Sequence, residues 1–217
     1  MVKSTPKKWG LIAAPGYPFI AAGLVLILLG VLMGRAGLAV LGVAAAGFFA
    51  YFFRDPERDI PPDPQAIVAP ADGKVILLDE VEEPQFLQAP ARRLAIFMNV
   101  LDVHVNRAPV AGTVKALHHR EGKFKAAFRQ DAGALNEQQA LVLEAGGRRV
   151  LVVQIAGLLA RRIVPFVKEG QRLVRGERLG MICFGSRVDL YLPREWQVTV
   201  KPGDRVKAGA SVVGRWP

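Results

Sequence analysis

The feature that most restricts this 217-residue chain is an uncharged apolar block near its start. From Leu11 to Met33 run 23 residues with no ionisable side chain except Tyr17. As a helix rising 1.5 Å per residue, such a run covers about 34 Å, enough for a hydrocarbon core of about 30 Å. Gly34-Arg35-Ala36-Gly37 breaks the run. A second one, Leu38 to Phe53, is 16 residues long and ends in Phe48, Phe49, Tyr51, Phe52 and Phe53. The pattern predicts a transmembrane helical hairpin, with residues 1–53 as the membrane anchor. Lys3, Lys7 and Lys8 precede it, and Arg54 and Arg58 follow. Basic flanks at both ends place both in the cytoplasm, with the aromatic cluster and Trp9 at the interface. A signal peptide has a shorter apolar stretch and no second one behind it. A buried soluble hairpin shows a polar face, and neither run has one.

Past the anchor the chemistry changes abruptly. Residues 54–65 are charged and proline-rich, with Pro56, Pro61, Pro62 and Pro64 excluding a regular helix, and read as a linker. Residues 66–217 read as a mainly β (α+β) domain. Ile67–Ala69, Lys74–Leu78, Arg93–Met98, Ala140–Leu143 and Arg149–Ile155 are short runs rich in Val, Ile and Leu between turn residues. One helix is expected around Ala156 to Ile163.

An internal repeat follows. Gly170-Gln171-Arg172-Leu173-Val174-Arg175-Gly176 matches Gly203-Asp204-Arg205-Val206-Lys207-Ala208-Gly209 at an offset of 33 residues. Paired glycine turns of this kind occur in flattened barrels of the lipoyl-carrier type, so a lipoyl-carrier-like barrel is expected. The alternative function on this pattern alone is a non-catalytic lipoyl- or biotinyl-like barrel, acting as a membrane-attached carrier or adaptor. Such a module presents a lysine between its halves. Here no lysine lies between Lys168 and Lys201.

The net charge of +10 suits an anionic lipid surface or a nucleic acid. No zinc ligand set or helix-turn-helix pattern accompanies it, and aromatics do not interleave with the basic residues, so no nucleic-acid partner is expected. Cys183 is the only cysteine. One cysteine and three histidines in no ligand spacing predict no metal.

Between the repeats lies Gly185-Ser186. A serine after glycine at a tight turn can break its own chain. The Ser186 hydroxyl attacks the Gly185 carbonyl to give an ester, elimination leaves dehydroalanine, and hydrolysis leaves a pyruvoyl group. The first step needs a base, and an imidazole oriented by a carboxylate is an effective one. The candidates are His104, His118 and His119.

Gly185-Ser186-Arg187-Val188-Asp189-Leu190-Tyr191-Leu192-Pro193 resembles the processing segment of the short bacterial and archaeal phosphatidylserine decarboxylases. Phe53-Arg54-Asp55-Pro56-Glu57-Arg58, Ala69-Pro70-Ala71-Asp72-Gly73 and Asp102-Val103-His104-Val105-Asn106-Arg107-Ala108-Pro109 resemble the same family in the same order, and Asn136-Glu137 falls where an Asn-Glu pair is expected. The resemblance spans about residue 50 to the C-terminus. It implies a pyruvoyl-dependent proenzyme cut between Gly185 and Ser186, leaving a short chain of 32 residues, 186–217. The pyruvoyl group made from Ser186 would form a Schiff base with phosphatidylserine and release phosphatidylethanolamine. The implied catalytic residues are Ser186, His104 and Asp72, with Asp72 orienting His104. Larger bacterial members carry His-x-x-His-x-Pro, where this chain has His104 and Arg107. His104 therefore serves self-cleavage, decarboxylation or both. The implied partners are phosphatidylserine, anionic membrane lipid and the chain's own cleavage products as a heterodimer; a homo-oligomer is left open. The implied location is the bacterial inner membrane, with the catalytic domain facing the cytoplasm.

Overall fold

The computed structural model describes residues 10–125, 132–158, 162–183 and 186–217. The chain divides into two compact units, Met1–Glu57 and Arg58–Pro217. Residues 55–65, across that division, form neither helix nor strand.

The first unit is a pair of helices, α1 (Tyr17–Leu32) and α2 (Ala36–Phe52). With its short 3-10 start, the first runs from Ala14 to Leu32, 19 residues, long and apolar enough to cross a membrane; α2 has 17. Gly34, at φ 61°, ends α1 in the left-handed conformation that glycine adopts without a Cβ penalty. Small residues let the helices approach. A Cβ at Gly23 would sit 2.8 Å from the Ala46 nitrogen, too close to fit, so the contact requires glycine there. Phe19 packs on Phe49 and Phe53, ring centroids 5.1 and 5.2 Å away.

The second unit is mainly β, as its short apolar runs foretold. In chain order come β1 (Ala66–Val68), β2 (Gly73–Glu83), β3 (Ala89–Met98), β4 (Val105–Arg107) and β5 (Gly112–Arg120). A four-residue helix, α3 (Ala132–Leu135), precedes β6 (Gln138–Ala145) and β7 (Arg148–Ala156). Then follow β8 (Ile163–Pro165), β9 (Arg172–Leu173), β10 (Arg178–Ile182) and β11 (Ser186–Pro193). The chain closes with β12 (Gln197–Val198), β13 (Arg205–Val206) and β14 (Val212–Arg215). Eight strands form one antiparallel sheet in the order β13-β2-β3-β11-β7-β6-β5-β9, and two three-stranded sheets, β1-β14-β12 and β4-β10-β8, accompany it. The helix expected around Ala156 to Ile163 is not what its ends form: Ala156 closes β7 and Ile163 opens β8. Residues 159–161 lie outside the described residues.

Strand alternation explains the core. Leu94, Ile96, Met98, Val150, Val152, Val188, Leu190 and Leu192 occupy alternate positions on β3, β7 and β11, and all pack into the main core. The opposite face is also covered, by a smaller cluster of Ala140, Val142, Leu151, Val153 and Ile155. Strand β11 is therefore buried on both faces.

The glycine repeat is structural. Gly170, Gly176, Gly203 and Gly209 all have φ between 76° and 105°. Gly203 N–H donates to Val75 and Gly209 N–H to Ala69; in the second copy Gly170 donates to Val114 and Gly176 to Ala108. The matching acceptors belong to a second repeat, Ala69-Pro70-Ala71-Asp72-Gly73 against Ala108-Pro109-Val110-Ala111-Gly112. The two copies exchange bonds: Val68 N–H donates to the Pro109 carbonyl and Arg107 N–H to that of Pro70, each at 2.9 Å.

Candidate active site

Ser186 is the first residue of β11, opposite Met98 on β3 and Ala156 on β7. Directly opposed residues in antiparallel strands share a face, so its side chain points with those of Met98 and Ala156 into the main core. The residue is fully buried, and among the described residues its Oγ has no hydrogen-bond partner. A buried hydroxyl without a partner is costly, which makes it a candidate for reaction rather than support. Gly185, the other half of the expected cleavage site, lies outside the described residues, as does Phe184.

His104 is fully buried just before β4. Its carbonyl extends the β4–β10 ladder by accepting from Ile182 N–H at 3.4 Å. The ring Nδ1 lies 2.9 Å from the Asp102 carbonyl oxygen. A carbonyl only accepts, so Nδ1 carries the proton there, and Nε2 of the neutral ring carries the lone pair. Two residues on, the Asn106 amide donates to the Met98 sulfur at 3.5 Å and accepts from Gln154 Nε2 at 2.7 Å. Met98 is the cross-strand partner of Ser186. Asn106, two positions after His104, thus reaches the residue that lies opposite Ser186.

Asp72 is buried just before β2. Its carboxylate accepts from Arg58 at 2.8 and 3.0 Å and from Ala208 N–H at 2.8 Å. The Asp102 carbonyl is one partner of the His104 imidazole, and the Asp72 carboxylate is held by Arg58 and the Ala208 N–H. Burial pushes the Asp72 carboxyl above its ordinary range, while the Ala208 N–H and the Arg58 charge pull the other way. Asp102, the nearest acid in the same motif, accepts from Asn99 N–H and Arg205.

The remaining motif residues have structural partners. Arg107, where larger members carry a second histidine, is buried and donates to the Gly176 carbonyl at 3.0 Å. His118 and His119 are exposed on β5, with His119 Nε2 3.7 Å from Glu137. Asn136 is buried; its Nδ2 donates to the carbonyls of Ala156 and Lys125, both at 2.7 Å. It thereby fixes the strand end beside Ser186.

Two features escaped the sequence reading. Arg58 reads in the sequence as a membrane-flanking charge at the end of the first motif, and only the structure shows its contact with Asp72. Arg187 and Asp189 form a fully buried ion pair, 2.5 Å from Nε to Oδ1, on the face of β11 opposite Ser186. Their spacing of two on a strand was the available signal.

The phosphatidylserine decarboxylase family model matches residues 45–214. The chain belongs to that family. A phosphatidylserine decarboxylase proenzyme of Symbiobacterium thermophilum is 49% identical over 208 residues, 95% of this chain and 96% of that one. Proteins of the same name from Desulfotalea psychrophila and Carboxydothermus hydrogenoformans are 42% and 46% identical, over 94% and 92% of this chain. Family membership covers all four motifs and both repeats, so Ser186, His104 and Asp72 occupy positions inside one matched domain.

Proposed function

We propose that this chain is a proenzyme that cuts itself before Ser186 and then decarboxylates phosphatidylserine to phosphatidylethanolamine. The observation that carries the proposal is the Ser186 hydroxyl, buried in the core without a partner among the described residues at the head of a doubly paired strand. Support from hydrogen bonding is what a structural serine would have there; a residue destined for conversion does not need it.

In this reading His104 Nε2 takes the proton from Ser186 Oγ. The oxygen attacks the carbonyl of residue 185, and the peptide nitrogen leaves as the amine of an ester. Loss of the Ser186 α-proton expels the residue 185 carboxylate. Hydrolysis of the dehydroalanine releases ammonia and leaves a ketone. The pyruvoyl carbonyl supplies an electron sink for the substrate amine, the role of a carbonyl cofactor made from the chain itself. The fit is favourable: the Met98 and Ala156 backbones on either side fix the head of β11 and so the carbon that is to be converted. Asp72 supplies a buried negative charge near the His104 segment, and Arg58 holds its carboxylate in place.

The helical pair is read as the membrane anchor, residues 1–53, with residues 54–65 as linker and 66–217 as the catalytic domain facing the cytoplasm. The paired glycine hairpins and their reciprocal bonds support a flattened barrel of the lipoyl type.

Intact mass of purified protein tests the proposal. The expected result is a long chain ending at Gly185 and a 32-residue chain, 186–217, with a blocked pyruvoyl N-terminus. Ser186→Ala is expected to stay one chain and to release no CO₂. A processed and active Ser186→Ala protein refutes the role of Ser186.

A further inference from the structure

Most exposed apolar side chains on a soluble surface are scattered and mean nothing. Those of the β unit are not scattered. Its described residues expose five large hydrophobics: Val100 (37%), Leu101 (60%), Leu135 (37%), Leu158 (64%) and Val174. Four of the five surround the strand ends that flank Ser186. Val100 and Leu101 lie in the turn directly after Met98, the partner of Ser186 on β3. Leu158 comes two residues after Ala156, its partner on β7. Leu135 precedes Asn136, whose amide is bonded to the Ala156 carbonyl.

The charge around this rim is basic. Arg162, exposed, has its carbonyl bonded to Cys183 N–H, three residues before Ser186. Lys123 is exposed, and its N–H donates to the Leu135 carbonyl. Asp102, the acid of the same turn as Leu101, is bonded to Arg205.

We propose that the Val100-Leu101, Leu135 and Leu158 tips form a membrane-contacting rim that seats the Ser186 end of the β unit on an anionic phospholipid bilayer. Apolar tips backed by arginine and lysine match acyl chains beneath acidic headgroups. The inference rests on Ser186 being the reacting residue: a fully buried centre needs its lipid delivered at one edge, and this is the edge where the apolar residues collect. Direct transfer from the bilayer then spares the acyl chains any passage through water.

The test uses the full chain in phosphatidylcholine vesicles, with two substrates. One is long-chain phosphatidylserine in the bilayer. The other is a short-chain phosphatidylserine kept below its micelle concentration, which reaches the site from water. Leu101→Asp/Leu158→Asp is expected to lower turnover of the bilayer substrate at least about tenfold, since a carboxylate is strongly disfavoured among acyl chains. Turnover of the soluble substrate is expected to stay within about twofold. Equal loss on both substrates, or loss on neither, overturns the rim.

A second measurement is independent of activity. Leu101→Cys in a Cys183→Ser background carries a fluorophore whose emission brominated acyl chains quench. Quenching is expected. Emission unchanged by brominated lipid overturns the rim, and self-quenching between labelled copies would make the patch a dimer surface instead. If unsubstituted protein turns over neither substrate, the proposed reaction fails, while the quenching result still decides the rim.

Discussion

At the residue scale, the buried pair of Arg187 and Asp189 shows how strand β11 is held. Both are among the most buried polar residues described, one and three positions after Ser186. Burial raises the Asp189 carboxyl above its ordinary 3.8, and the Arg187 guanidinium, bonded at 2.5 and 2.7 Å, is what opposes this most. Arg187→Met strands a buried carboxylate and is expected to cost about 3–5 kcal/mol at neutral pH. The deficit has a predictable pH dependence. Without its partner the carboxyl is raised further in the folded state, so its protonated form suits the fold. That contribution is complete below the unfolded value of 3.8 and is lost as pH rises through the folded one. Thermal unfolding should therefore show a smaller gap from the parent at about pH 5 than at about pH 8. A gap that widens on acidification would show that the pair is not what Asp189 contributes. Replacing both residues by leucine should recover much of the loss. None of this was legible in Ser-Arg-Val-Asp, because a charged residue at alternate strand positions reads as solvent-facing until both neighbouring strands are known.

At the element scale, the short product would be a fragment with no fold of its own. Residues 186–217 contain β11 to β14, and apart from the short β12–β14 pairing their partners lie in the other chain. Strand β11 pairs with β3 and β7, β13 with β2, and β14 with β1. Val188, Leu190, Leu192, Trp196, Val206 and Val213 are all buried. Six such side chains contribute on the order of 10 kcal/mol. Cleavage before Ser186 should thus release nothing. Both chains are expected to co-elute on gel filtration in mild detergent and to separate only in denaturant. Loss of the short chain under native conditions would mean that the ladders around β11 do not survive processing. The sequence disclosed these elements unevenly. Runs such as Arg93–Met98 and Arg149–Ile155 lie inside β3 and β7, because central strands are continuous apolar stretches. Strand β5 was missed, since Lys115, His118, His119 and Arg120 leave no clear alternation on an outer strand.

At the scale of the whole molecule, an internal two-fold relation organises the β unit, and half of it was visible. The glycine turns repeat at a fixed offset; the Ala-Pro segments that accept their bonds repeat at a different one, so a single-offset search finds only the first. The relation also isolates Asp72, whose counterpart in the other copy is Ala111. Backbone geometry alone therefore does not demand a carboxylate at position 72, and the unmatched acid is the more telling for function. Every contact described for Ser186, His104 and Asp72 lies within Arg58–Pro217, including the Arg58 guanidinium. The proposed self-cleavage would be an intramolecular reaction of those residues, so it should not require the helical pair. Removal of residues 1–57 is expected to leave a chain that still yields the 186–217 fragment, seen by mass, but no longer sediments with membranes. If the shortened chain shows a β-type circular dichroism spectrum yet remains uncut, the helical pair does more than anchor. If it is cut yet still sediments at high salt, anchoring does not depend on α1 and α2, and apolar contacts of the β unit suffice to hold it on lipid, because screening would remove a purely electrostatic attachment.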